Sequence, residues 1–321
     1  MKILVVQNKM GIGDMVIYLP FIDSISKRFN VPVNILVKES SKAEQFLKDN
    51  KIIEKIIILK QGNKLKDAKH QGFNGFFRLV KELREHNFDK IFIFNSSLRF
   101  NLIARFAGIK DIHQYPLLDK KNQHIVNAAK KLLNKELNLD VQNNPKIFIN
   151  EKFVLESKSK FKINKDEKNI LLGIGGSGPT KRIPAKTFIE LIRKISNTHR
   201  CKFFLATGKN QDEQKILKEI LNTEFRDKCF PLDDLSIYET LPIIKNCDIS
   251  ICNDSSFSHL SSALGIKTII LMSDTPLLYG NYSTLMYPIM PDGESTVSHD
   301  TLGKDKIDPS KIFEQFKKII D

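Results

Sequence analysis

Three short segments place reactive residue types at the ends of apolar runs. Gly11-Ile12-Gly13-Asp14 combines two glycines with a carboxylate. Glycines at a strand-to-helix turn suit close backbone approach to an anion. Asp14 can serve as a helix N-cap or as a general base. Gly173-Ile174-Gly175-Gly176-Ser177-Gly178-Pro179-Thr180-Lys181-Arg182 brings together bare backbone amides, two hydroxyls and two cations. Those are the N–H donors, O–H donors and positive charge that a diphosphate needs. A solvent-exposed loop punctuated by glycine is the alternative. In Asn253-Asp254-Ser255-Ser256-Phe257-Ser258-His259, Ser255 and His259 are four apart and share a helix face. Asp254 and Ser255 can equally cap that helix, with His259 as a structural core histidine.

Known signatures fail on single positions. A dinucleotide fingerprint needs a third glycine where Val16 stands, and no G-K-[S/T] closes the second loop as a P-loop requires. No G-x-S-x-G nucleophile elbow is present.

The elements that must position these loops follow from hydrophobic patterning. Strands are expected at Lys2–Gln7, Val33–Val37, Lys55–Leu59 and Lys90–Phe94. Helices are expected at Asp14–Arg28, Ser41–Asp49, Phe76–His86, Leu98–Ala107 and His124–Leu137. The charged segment Asn144–Lys168 reads as a connection. The alternation then restarts with strands Ile170–Ile174, Lys202–Thr207, Ile249–Cys252 and Lys267–Met272. Helices Ala185–Asn197, Asp212–Leu221, Ile237–Lys245, Phe257–Leu264 and Pro309–Ile320 are interleaved or follow. Strands alternating with helices mean βαβ units and parallel sheets. Two α/β halves imply a cleft faced by the C-terminal strand ends, and all three reactive loops follow strands.

The chain has 321 residues, a length suited to about two domains. Lys plus Arg number 51 against 37 Asp plus Glu, a net charge of +14. Such a surface favours anionic partners. Nucleic acid is disfavoured, because the basic residues are scattered and no helix-turn-helix, zinc or RNA-binding signature appears. No apolar run is long enough to span a membrane, and Met1–Val6 is too short for a signal-peptide core. Cys201, Cys229, Cys247 and Cys252 form no C-x-x-C pair and read as reduced, buried thiols of a cytoplasmic protein.

Taken in order, the loops resemble glycosyltransferase family 9, the ADP-heptose:lipopolysaccharide heptosyltransferases. Met10–Pro20 is similar to the family's opening, Ser177–Pro184 to its second signature and Asn253–Gly265 to its third. Asn95–Arg99 with Arg105–Gly108, and Ser236–Asp248, also fit. The resemblance implies a GT-B fold, an α/β architecture of two Rossmann-like parallel-sheet domains facing across a cleft. It places an acceptor-binding domain at 1–155 and a nucleotide-sugar-binding domain at 156–308. A closing helix at 309–321 is expected to cross back to the first domain. The implied reaction is inverting and metal-independent, with no cofactor, from a nucleotide-sugar donor such as ADP-heptose to an anionic glycolipid acceptor, a lipopolysaccharide inner-core sugar.

By resemblance Asp14 is the general base. Gly176, Ser177, Thr180, Lys181, Asp254, Ser255, Ser256 and His259 hold the donor, and Lys9, Gly13 and Arg99 face the acceptor. For Arg99 a plain surface role stands beside that one. A basic acceptor domain would hold a cytoplasmic enzyme peripherally at the inner leaflet. The chain departs from the family at Ser256, where glycine is usual, at Ser273-Asp274-Thr275-Pro276, at Ile183, and in the longer segment Gln61–Gly75. Alternatives are a transferase of the same fold using another nucleotide-sugar for a different surface glycan, and an inactive nucleotide-binding relative.

Overall fold

A computed structural model describes residues 1–62, 67–117 and 124–320, so part of the Gln61–Gly75 segment lies outside the described residues. The chain divides into two compact units, Met1–Pro145 and Lys146–Asp321. The division falls ten residues before the expected 155/156 boundary.

The first unit runs β1 (Ile3–Gln7), α1 (Ile12–Phe29), β2 (Val33–Lys38), α2 (Ala43–Phe46), β3 (Ile53–Leu59), α3 (Gly72–His86), β4 (Lys90–Ile93), α4 (Leu98–Phe106), β5 (Asp111–Gln114) and α5 (Ile125–Leu137). Its sheet is parallel, in the order β3-β2-β1-β4-β5. Helices cover both faces of such a sheet, so its central strands read as unbroken apolar runs; every residue of β1 is buried. Leu4, Val6, Ile91 and Ile93 project to one face, where they join Leu79 and Leu83 of α3 and Ile103 of α4 in a single core.

Strand β5 escapes sequence reading because Asp-Ile-His-Gln has one apolar residue. It is an edge strand held by polar contacts. Asp111 pairs with Lys90, and His113 stacks on Phe92 at 4.5 Å between centroids. His113 Nδ1 also lies 2.8 Å from Glu136 Oε2 of α5.

The second unit runs α6 (Glu151–Lys160), β6 (Lys168–Gly173), α7 (Ala185–Ser196), β7 (Cys201–Ala206), α8 (Gln211–Leu221), β8 (Cys229–Pro231), α9 (Ile237–Lys245), β9 (Ile249–Asn253), α10 (Ser256–Ala263), β10 (Thr268–Leu271), β11 (Met286–Ile289) and α11 (Pro309–Ile320). Its parallel sheet has the order β11-β10-β9-β6-β7-β8. Strands β8 and β11 both contain a proline, which edge positions tolerate and sequence patterning reads as loop.

Helix α6 lies in the segment expected to be a mere connection. It buries only Ser157, so it has no apolar stripe to read. It is fastened by Asn246, whose amide donates to Val154 O at 2.8 Å and to Ser157 Oγ at 2.9 Å. The closing helix α11, expected to cross back to the first unit, packs against α7, β10 and β11 of the second. Its Ile312 and Phe316 are fully buried in that unit's core. All four cysteines are buried thiols, and burial pushes Cys229 and Cys252 up to about 12.

In each sheet the chain reverses its direction of travel once, between β1 and β4 in the first and between β6 and β9 in the second. Loops leaving the carboxyl ends of those strand pairs diverge to opposite faces, which opens a crevice there. The three reactive loops follow β1, β6 and β9, and the Asn95–Arg99 segment follows β4.

Candidate active site

At the first switch point, Gly11 has φ 106° and occupies the cap position of α1 without a side-chain capping bond. A side chain would be strained at that φ. The turn starts the helix at Ile12, so Gly13 and Asp14 lie in its first turn. Asp14 is therefore not the N-cap, and the capping alternative is corrected. Its carboxylate is half-buried at the positive end of the helix dipole. The loops after β1 and β4 are joined by Asn95 Nδ2, which donates to Asn8 Oδ1 at 3.2 Å.

Arg99, in the first turn of α4, donates from Nη2 to the His70 carbonyl at 2.9 Å. Its guanidinium lies over the Phe76 ring, 5.6 Å from the centroid. These contacts fix the fork in a half-buried position and leave further N–H donors for a ligand. Under it, fully buried His70 accepts the Lys60 N–H at Nδ1 over 3.1 Å. That assigns its proton to Nε2, which faces Glu82 Oε2 at 3.1 Å. Lys9 is exposed at the rim of a cavity of about 310 Å³ between β4, β5 and α5, lined also by Tyr18, Phe94, Gln114, Tyr115 and Lys131.

At the second switch point the two predicted loops are bound together. Buried Asn253 donates from Nδ2 to the carbonyls of Ile174 and Gly175 at 2.9 and 3.2 Å. Lys181 Nζ donates to Asp254 Oδ2 at 2.9 Å, with Asp254 4% exposed. Burial pushes the Asp254 carboxyl up, but the Lys181 ammonium and neighbouring groups outweigh it and hold the acid below its usual value. Asp254 is thus an ion-pair partner rather than a helix cap.

His259 Nε2 lies 3.9 Å from Asp254 Oδ1. Its Nδ1 is 2.7 Å from the Tyr282 hydroxyl, and the two rings stack at 5.6 Å with an interplanar angle of 11°. Ser255 holds the cap position of α10 without a capping bond, and its buried hydroxyl has no partner among the described residues. Ser256 is half-buried at the start of the helix, and Ser177 is exposed.

Not every expected donor is open. The Gly176 N–H, expected to face a diphosphate, donates to Glu213 Oε1 at 2.7 Å. The Thr180 carbonyl accepts from Ser273 Oγ at 2.9 Å. The departing Ser273-Asp274 loop therefore braces the Ser177–Arg182 segment, and Asp274 Oδ1 in turn accepts the Leu302 N–H at 2.9 Å.

A family model described as glycosyltransferase family 9 (heptosyltransferase) matches residues 76–285. The chain belongs to glycosyltransferase family 9. Lipopolysaccharide heptosyltransferase 1 of Campylobacter coli is similar to this glycosyltransferase at 25% identity, over 98% of this chain and 96% of its own. Among solved structures, E. coli ADP-heptose lps heptosyltransferase II has TM-score 0.73 at 19% identity, covering 100% of this chain and 98% of its own. The glycosyl transferase family 9 from Veillonella parvula DSM 2008 has TM-score 0.77 at 17% identity, over 99% and 97%. The fold is GT-B, two Rossmann-like parallel-sheet units.

Three residues of the glycosyltransferase's crevices escaped sequence reading. Gln7 closes β1, is fully buried, and neither atom of its amide has a partner among the described residues. Its signal was a polar residue ending an apolar strand. Glu213 of α8 holds the Gly176 amide and is itself bonded by Asn210. A side chain at Gly175 would place its Cβ 2.5 Å from Glu213 Oε1 and so would displace the carboxylate that holds the Gly176 amide. The signal was the Asn210-x-x-Glu213 spacing of a capping box. Tyr282 sits 23 residues from His259, and no local pattern links them.

Burial drives the His259 imidazole from 6.5 to about 4, so it is neutral at pH 7 and acts there as a hydrogen-bonding group, not a cation. NMR titration of the ring is expected to give a midpoint near 4. Because the folded value lies below the unfolded one, His259 erodes stability as pH falls from 6.5 towards 4. A midpoint near 6.5 would contradict the burial.

Proposed function

We propose that this glycosyltransferase acts in lipopolysaccharide biosynthesis, transferring heptose from ADP-heptose to an inner-core acceptor with inversion and without a metal. The observation that carries this reading is a likeness spanning nearly the whole chain, with a carboxylate at one switch point and a Lys–Asp–His set at the other. Asp14 takes the proton of the acceptor hydroxyl. The hydroxyl oxygen bonds to the anomeric carbon as the bond from that carbon to the diphosphate oxygen breaks, and ADP leaves with the electron pair. Positive charge grows on the sugar ring and negative charge on the leaving group. Lys181, His259, Ser177, Ser255 and the backbone at the start of α10 meet the negative charge. Ser256 and Thr180 border the diphosphate, with Gly176 shaping the turn. Asp254 accepts hydroxyl hydrogen bonds from the sugar while orienting Lys181. Lys9, Gly13 and Arg99 form the acceptor side, where the arginine fork suits a carboxylate or phosphate.

Thermal-shift binding with ADP, UDP, GDP and CDP tests the donor assignment. ADP at 100 times its Kd is expected to stabilise the protein by about 2.7 kcal/mol, with smaller effects from the others. Preference for UDP, GDP or CDP would overturn ADP-heptose as donor and leave the fold and the catalytic base in place.

A further inference from the structure

Helices α3 and α4 pack side by side, and each carries large apolar side chains on its solvent face. On α3, Phe73 is 78% exposed and Phe77, one turn on, is 49% exposed. On α4, Leu98, Leu102 and Phe106 recur at four-residue spacing and are 55%, 37% and 55% exposed. Ring contacts join the two helices into one strip. Phe73 meets Phe77 at 5.0 Å, Phe77 meets Phe76 at 5.2 Å, and Phe76 meets Phe106 at 5.8 Å. A contiguous exposed apolar patch on a folded chain marks an interaction surface.

Cations surround it. Arg78, Lys81 and Arg84 of α3 and Arg105 of α4 are exposed, and Arg84 reaches across to the Phe106 carbonyl at 2.7 Å. Helix α4 contains no acidic residue. Of the two on α3, Glu82 is engaged by Lys69 and His70, leaving Glu85. Aromatic and leucine side chains set among Lys and Arg are the composition of a surface that lies in a lipid headgroup layer. A second copy of this face fits poorly, since isologous pairing would set its cations against themselves.

We propose that the α3–α4 face docks on an anionic phospholipid bilayer. The strip starts at Leu98, directly after the β4 loop joined to the Asp14 loop through Asn95 and Asn8. A bilayer under this face therefore lies beside the acceptor side of the first unit. The purpose of the surface rests on the proposed glycolipid acceptor; its measurement does not.

The test is co-sedimentation of the full chain with vesicles of mixed phosphatidylethanolamine and phosphatidylglycerol, against vesicles of phosphatidylcholine alone. Binding to the anionic vesicles is expected, weakening about fivefold per charge in the Arg78→Gln, Lys81→Gln and Arg105→Gln series. Phe73→Ser with Phe77→Ser and Leu102→Ser is expected to lower it by roughly tenfold or more. All six positions are exposed, so the melting temperature and its shift by ADP stay as in the wild type. Equal sedimentation of wild type and variants would overturn the proposal. So would a wild-type dimer that the phenylalanine and leucine changes dissociate, with no preference for anionic lipid. Loss of the ADP shift in the wild type, with lipid binding intact, would count against the donor reading alone.

Discussion

Replacing Asp14 with Asn is expected to lower kcat by about 10²–10⁴-fold, the contribution of one well-placed general base. The substitution keeps the shape of the first turn of α1 and removes the ability to take a proton. Gly11, not Asp14, holds the cap position of the helix, and asparagine keeps the size and polarity of the side chain, so the melting temperature should fall by little. ADP binding should be unchanged, because the proposed donor residues Lys181, Asp254 and His259 belong to the second unit. A loss confined to kcat identifies a group that acts in the transition state. Unchanged kcat would remove Asp14 from the chemistry, and weakened ADP binding would assign it to the donor.

Lys181→Met is the second large effect, and it acts on stability and turnover together. The change strands the Asp254 carboxylate, which is 4% exposed while its partner is 23% exposed. Breaking a buried pair by removing one member costs about 3–5 kcal/mol, and the partial exposure of Lys181 places the expectation at about 3 kcal/mol, the low end of that range. Adding Asp254→Asn removes the stranded charge and should recover at least half of the lost stability. It should not recover activity, since the cation proposed to meet the leaving diphosphate is still missing; a single such group contributes about 10²–10³-fold. Additive losses in urea unfolding of the double variant would contradict the pairing. The pH dependence carries the same sign. The Asp254 carboxyl lies below its usual value of 3.8 in the folded state. Its contribution to stability is therefore present above about pH 4 and lost as the pH falls through the depressed value.

The alternating architecture and the crevice loops were legible because both rest on local pattern. Short, largely apolar runs such as Ile3–Val6 and Ile249–Cys252 suit central strands between helical layers, and each reactive loop directly follows such a run. What stayed hidden depends on contacts distant in sequence or on elements without an apolar signature. Strand β5 is stitched to its neighbour by Asp111 and His113, and α6 is held by Asn246 from far along the chain. The Lys181–Asp254 pair spans 73 residues and the Gly176–Glu213 bond 37. In the candidate site, residue types at strand ends named Asp14, Lys181, Asp254 and His259. No spacing rule could reveal that Asp254 is a partner rather than a cap, or that Tyr282 fixes the His259 ring.

The most direct measurement is a transfer assay with ADP-heptose and a lipopolysaccharide inner-core acceptor that lacks heptose, followed by mass spectrometry and NMR of the new anomeric centre. One added heptosyl unit, ADP released in equal amount, and an anomeric configuration opposite to that of the donor are expected. An intact acceptor and unconsumed ADP-heptose, alongside turnover of a different nucleotide-sugar, would contradict it.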